Sequence, residues 1–218
     1  MRIAPEGYHI ILAGITLLII FAALLLASGE RLFVYPFLAA LIFSGFSLFF
    51  FRDPKRLPPQ IQNVVLAPAD GKIIALDNRI PAYFEGYASR LSIFLSMLDV
   101  HINRLPINGR VERVEYHRGK FTPAFKEKAS ELNEHTIIEL SGERGRIGFC
   151  QRAGTIARRI VCNLKVNDNA IQGERFGMIR FGSRVDVYLP ENVLIKASRG
   201  QHVRAGETII AEFTENES

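Results

Sequence analysis

Three side chains able to attack, accept or return a proton stand on short strings punctuated by glycine and proline. Ser183 follows Gly182 in the string Gly177-Met178-Ile179-Arg180-Phe181-Gly182-Ser183-Arg184-Val185, and this is the only Gly-Ser pair in the chain. Asp70 lies in Ala67-Pro68-Ala69-Asp70-Gly71-Lys72, and His101 in Asp99-Val100-His101-Ile102-Asn103-Arg104-Leu105-Pro106. A serine hydroxyl becomes a nucleophile when a base takes its proton and donors hold the oxyanion it creates. Taken singly, each string has a plainer reading: Gly-Ser and Asp-Gly are ordinary turns, and His101 ends a strand-like run. Arg104, Arg152, Arg158 and Arg159 offer two-pronged donors suited to phosphate, or else a solvated basic face. His9 reads as interfacial, His117 as part of a turn, and His135 and His202 as weaker candidates near the surface. Cys150 and Cys162 are the only cysteines and form no CxxC, which excludes a disulfide scaffold and a cysteine-rich zinc site. No glycine-rich nucleotide motif is present.

These residues must be positioned by strands. From residue 64 onward the pattern is short and alternating. Strands are expected at residues 64–66, 72–76, 91–98, 110–114, 136–140, 156–166, 185–189, 193–197 and 207–213. Asp70-Gly71, Asn108-Gly109, Ser141-Gly142, Asn167-Asp168-Asn169 and Arg199-Gly200 supply the turns between them. Residues 125–132 form the clearest helical stretch, and the aromatics of residues 81–87 and 121–125 read first as core. The expected fold is mainly β, a β-rich α+β domain, in residues 64–218, reached through a Pro-rich linker at 52–63.

Residues 1–51 differ in kind. Ile10 to Ser28 and Leu32 to Phe51 are uncharged runs of 19 and 20 residues. About 20 helical residues cross a hydrocarbon core of about 30 Å. Gly29-Glu30-Arg31 allows only a tight turn, so a two-helix transmembrane hairpin is expected. A signal peptide over residues 1–28 leaves the second run unexplained, and buried core helices would show a polar face. Arg2, Arg52, Lys55 and Arg56 flank the outer ends, against Arg31 alone in the turn, which puts both ends and the following domain on the cytoplasmic side. Charges within residues 1–51 cancel, so the net +5 belongs to residues 52–218 and suits an anionic lipid surface. No nucleic-acid-binding motif accompanies that charge.

Taken in order, Phe51-Arg52-Asp53-Pro54, the Asp70 string, the His101 string, Gln151-Arg152-Ala153-Gly154 and the Ser183 string resemble the compact bacterial form of phosphatidylserine decarboxylase. The resemblance runs from about residue 50 to the end. It implies a pyruvoyl-dependent zymogen, an inner-membrane lyase of phospholipid biosynthesis that makes phosphatidylethanolamine from phosphatidylserine. Autocatalytic cleavage between Gly182 and Ser183 would leave a β chain of residues 1–182 and an α chain of residues 183–218, the serine becoming a pyruvoyl group. That ketone would hold the substrate amine as a Schiff base and accept the electrons left by CO₂, with no metal or nucleotide. The resemblance matches Asp70 to the aspartate of a charge relay with a histidine and Ser183, and His101 to the first histidine of a family segment, an acid/base candidate for decarboxylation; Arg104 and Arg152 stand as candidates for the lipid phosphate. Longer members carry a second histidine where this chain has Arg104, which leaves the base for self-cleavage as His101, another group or a water. The implied partners are the phospholipid substrate, an anionic lipid surface and the two cleaved chains; a homo-oligomer is left open.

Residues 67–73 and 200–208 are also alike in style and resemble the barrel-sandwich folds of lipoyl and biotinyl carriers. Lys72 lacks the setting of a carrier lysine, so the likeness speaks for architecture. A non-enzymatic membrane-anchored barrel-sandwich module, or the same chemistry on archaetidylserine, stand as the alternatives.

Overall fold

The computed structural model describes residues 2–119, 133–154, 160–180 and 182–214. The helix expected at residues 125–132, the aromatic string at 121–125, and Arg158 and Arg159 lie outside them. The chain forms two compact units, residues 1–55 and 56–218.

The first unit is the expected hairpin. Helices α1 (Tyr8–Ser28) and α2 (Val34–Phe50), each extended by a short 3-10 turn, make continuous helical stretches of 24 and 20 residues. Both are long and apolar enough to cross a membrane. Gly29 closes α1 at φ +66°, the left-handed conformation that glycine adopts freely, and its N–H donates to the Leu25 carbonyl at 3.0 Å. A Cβ on Gly14 would lie 2.9 Å from Ser44 Oγ, so small residues let the helices approach. Strands β1 (Arg2–Ile3) and β2 (Arg52–Asp53) pair antiparallel and clasp the two outer ends. Leu12, Leu26 and Ile42 point outward from the pair. Apolar surface of that extent needs an apolar surrounding, so this unit is a membrane-associating element.

The second unit is strand-rich. In chain order it contains β3 (Val64–Leu66), β4 (Gly71–Asp77), β5 (Ser89–Leu95), β6 (Ile102–Arg104), β7 (Gly109–His117), β8 (His135–Gly142) and β9 (Gly145–Arg152). There follow β10 (Ile160–Cys162), β11 (Asn169–Ala170), β12 (Arg175–Ile179), β13 (Ser183–Leu189), β14 (Val193–Ile195), β15 (His202–Val203) and β16 (Ile209–Phe213). Among the described residues the main sheet runs β11-β7-β8-β9-β13-β5-β4-β15, antiparallel throughout and curled into a half-barrel. Two three-stranded sheets, β14-β16-β3 and β10-β12-β6, complete the unit.

Both faces of the main sheet are buried where it is widest. Leu91, Ile93, Leu95, Val185, Val187, Leu189, Ile138, Leu140, Ile147 and Phe149 form the inner core. On the outer face Phe84 packs with Ile137, Cys150 and Tyr188. Cys150 and Cys162 are free thiols, and burial pushes the Cys150 thiol up to about 11.

The two segments that resemble each other are strand partners: His202 pairs with Lys72, Val203 with Gly71, and the Gly206 N–H donates to the Ala67 carbonyl at 2.9 Å. Three expectations change. The strand expected at 91–98 stops at Leu95, because the Asp99 side chain pulls residues 96–99 into a turn. The run at 156–166 contributes only Ile160–Cys162 among the described residues. β9 and β12 form where no alternating pattern announced them, because almost every residue in each is buried.

Candidate active site

One row of paired residues crosses the main sheet: His202, Lys72, Phe94, Arg184, Arg152, His135 and His117. One step beyond it, Gly71, Leu95 and Ser183 stand at the same end of three adjacent strands, with Leu95 opposite Ser183. Asp70 precedes Gly71, and the chain leaving Leu95 turns and reaches His101 six residues later. Register thus gathers strings that are more than 100 residues apart.

Ser183 is the first residue of β13 and shares the inward side of that strand with Val185 and Val187. It is fully buried, and its Oγ has no hydrogen-bond partner among the described residues. An unsatisfied buried hydroxyl is uncommon and costs about 1–3 kcal/mol. Gly182 before it has φ +59°, a conformation about 1–2 kcal/mol uphill for a residue with a side chain, and among the described residues beyond its chain neighbours nothing lies within 4 Å of where a Cβ would be. A buried hydroxyl with no partner among the described residues thus stands directly beside a left-handed backbone.

His101 is also fully buried, and its backbone carbonyl accepts the Ile179 N–H at 3.3 Å, which ties it to β12 just before the Gly182-Ser183 step. Its Nδ1 lies 2.9 Å from the Asp99 carbonyl oxygen. A carbonyl only accepts, so Nδ1 carries a proton and the lone pair of the neutral ring sits on Nε2. Two residues on, Asn103 Oδ1 accepts from Gln151 Nε2 at 2.8 Å, and Gln151 Nε2 also reaches the Val161 carbonyl at 3.4 Å. Asn103 and Gln151 belong to the sequence strings but carried no assignment; buried polar types inside otherwise apolar strand segments were the available signal. Gln151 Oε1, on β9 beside β13, and Thr136 Oγ1, one strand further on β8, face the same inner side as Ser183 and are likewise buried with no partner among the described residues.

Asp70 is held by other groups. Arg56 Nη2 donates to its Oδ2 at 2.6 Å and the Ala205 N–H to its Oδ1 at 2.8 Å. Arg56 Nη1 also binds Glu207 at 3.0 Å. Burial pushes the Asp70 carboxyl above its ordinary value, and the Ala205 N–H and Arg56 offset only part of that. Among the described residues Asp70 makes no hydrogen bond to His101 or Ser183, so the three stand at one end of the sheet without forming a bonded relay. Arg104 donates to the Gly173 carbonyl at 3.1 Å and packs against Gly206, next to the Ala205 that binds Asp70.

Arg152 lies on the opposite, outer face and is fully buried. Its Nε meets Asp186 Oδ2 at 2.6 Å and its Nη2 the Tyr83 hydroxyl at 2.6 Å. Asp186 further takes Ser92 Oγ at 2.6 Å and Arg184 Nη2 at 3.0 Å, and its Oδ1 stands 2.9 Å from Arg184 Nε as an ion pair. Burial alone would raise the Asp186 carboxyl, but Arg184 and Arg152 outweigh it and hold it down at about 2. His135 stacks between Tyr83 and His117, half-buried rather than exposed. A cavity of about 1130 Å³ opens at the other end of the sheet, by Asn108, Arg110, Ser141 and Arg144, and none of the candidate residues lines it.

The described residues thus combine a curled antiparallel half-barrel, a buried serine after a left-handed glycine, and two apolar helices. The family profile of phosphatidylserine decarboxylase matches residues 43–211, and the chain belongs to that family. It is 44% identical over 217 residues to the phosphatidylserine decarboxylase proenzyme of Chlorobium limicola, covering 97% of this chain and 100% of that protein. The proteins of the same name from Desulfotalea psychrophila and Gluconobacter oxydans are 45% and 49% identical, over 88% and 80% of this chain and 90% and 80% of theirs.

Proposed function

We propose that this chain decarboxylates phosphatidylserine to phosphatidylethanolamine, using a pyruvoyl group that it makes from Ser183 by cutting itself after Gly182. The observation that carries the reading is the fully buried Ser183 hydroxyl, without a partner among the described residues, next to a glycine at φ +59°, in a member of this family. Ser183 Oγ attacks the Gly182 carbonyl carbon and the amide becomes an ester. Elimination frees the Gly182 carboxylate, and one water then releases ammonia and leaves a ketone at position 183. That group supplies a covalent anchor for the substrate amine and a sink for the electrons left by CO₂.

The surrounding residues bind, orient and move protons. His101 presents Nε2 as a proton acceptor, with the ring fixed through Nδ1 by the Asp99 carbonyl. Asp70, its carboxyl raised by burial, is suited to hold a proton and release it during self-cleavage. Arg104 is the better placed of the two phosphate candidates, since the Arg152 guanidinium already serves Asp186 and Tyr83. The basic flanks of the hairpin support a location of the second unit on the cytoplasmic side of the inner membrane.

The deciding measurement is the mass of the purified protein's chains. A fragment spanning residues 183–218 with a pyruvoyl amino terminus is expected, and Ser183→Ala should remain one inactive chain. Decarboxylation by uncut Ser183→Ala protein would end this reading.

A further inference from the structure

β5 ends at Leu95, and residues 96–99 make a tight, pinned turn. Asp99 Oδ2 accepts the Ser96 N–H at 2.7 Å and the Ser96 hydroxyl at 2.6 Å, and the Asp99 N–H donates to the Ser96 carbonyl at 3.1 Å. The two residues at the tip are Met97 and Leu98, which are 41% and 69% exposed. A turn of this kind is satisfied by polar tip residues, so two large apolar side chains held out toward water gain nothing from the turn itself.

The position of the tip is specific. Leu95, two residues before Met97, is the strand partner of Ser183. Asp99, whose carboxylate pins the turn, also gives its backbone carbonyl to His101 Nδ1. An apolar tip is therefore built rigidly onto the residues that orient the candidate histidine.

We propose that Met97 and Leu98 insert into the acyl region of the lipid bilayer and bring the headgroup-bearing surface to Ser183 and His101. This rests on the reading that a membrane phospholipid is the substrate. A bilayer is the occupant that the rest of the chain fits. Two helices are long and apolar enough to cross a membrane, and residues 52–218 carry the whole net charge of +5, complementary to anionic lipid.

The chain contains no tryptophan, so Leu98→Trp supplies a single indole at the tip. In the full-length protein reconstituted into phosphatidylcholine–phosphatidylserine vesicles, its emission should shift to shorter wavelength and be quenched by lipids brominated in the acyl chain. Leu194→Trp is the control. Leu194 is exposed, and the neighbouring Asn192 bonds the Arg144 carbonyl in the β8–β9 turn at the far end of the sheet. Its emission should stay that of a hydrated indole. A hydrated, unquenched signal from position 98 overturns the inference.

The double variant Met97→Ser/Leu98→Ser should still cut itself, while KM for vesicle-borne substrate rises about tenfold or more. A short-chain, dispersed phosphatidylserine should show no comparable rise, and equal losses on both substrates would also overturn insertion. The spectrum can be read in a Ser183→Ala background, where no reaction occurs. Absence of decarboxylation in the parent protein would thus refute the proposed function and leave the indole to decide insertion.

Discussion

The two faces of β13 carry the polar residues of the second unit in opposite states. On the outer face, Asp186 is met by Arg152, Arg184 and Ser92, and Arg152 in turn by Tyr83, so the buried charges are neutralised and bonded. On the inner face Ser183 Oγ, Gln151 Oε1 and Thr136 Oγ1 are just as buried, yet have no partner among the described residues. Burial costs a polar group its hydration on either face, and on the outer face the Asp186 carboxylate and the Arg152 guanidinium recover it. The contrast separates a network that holds the strands from a set of groups left available to a guest or a reaction.

If the outer network is structural, breaking it should have the largest effect on stability. In the uncut Ser183→Ala chain, Asp186→Ala leaves Arg152 and Arg184 buried without their counter-charge, and a loss of about 3–5 kcal/mol is expected in denaturant unfolding. A loss under about 1 kcal/mol would show that water or Tyr83 already solvates these arginines, and the contrast would fail.

Acid should reach the same network next. The Asp186 carboxyl lies at about 2 in the folded protein against an ordinary 3.8. A depressed carboxyl stabilises the fold fully above the unfolded value and loses that contribution as pH falls through the folded one. Stability should therefore drop by about 2 kcal/mol between about pH 4 and pH 2. Melting temperatures of the parent and of Asp186→Asn across that window check this, since the variant should lack this part of the acid dependence.

The inner face should respond least, and with the opposite sign. Relative to the uncut proenzyme, Ser183→Ala removes a buried hydroxyl with no partner among the described residues, so it should raise stability by about 1 kcal/mol while abolishing the cut. A destabilised Ser183→Ala protein would mean that the hydroxyl is bonded in the folded chain after all.

The same strand explains what the sequence could and could not tell. Ser183-Arg184-Val185-Asp186-Val187-Tyr188-Leu189 alternates, which usually means one face in water. Here the polar face is covered by Tyr83 and Phe84, and its charges are buried against β9 and β5. β9 was missed because nothing in Gly145-Arg146-Ile147-Gly148-Phe149-Cys150-Gln151-Arg152 alternates once both faces are dry. Three-residue strands such as β6 are too short to show any period. The hairpin was legible because uncharged runs of 19 and 20 residues have few other uses. Of the site, Asp70, His101 and Ser183 were legible as motif residues. The Arg56 clamp on Asp70 and the Asn103–Gln151 bond arise from register across more than ten residues, and composition carries no record of that.

β13 lies inside the main sheet, hydrogen-bonded on one side to β5 and on the other to β9. A cut before Ser183 would leave this strand, with β14, β15 and β16, on a 36-residue piece whose strand neighbours all belong to the other piece except where β14 meets β16. Such a piece has no core of its own, so it should remain threaded through the larger one after the peptide bond is gone. Its assembly, however, would have relied on covalent linkage to bring β13 between its neighbours at high effective concentration. Once cut, the protein would carry a memory of having folded as one chain: unfolding it would erase that memory, and removal of denaturant would return two strangers in place of an enzyme.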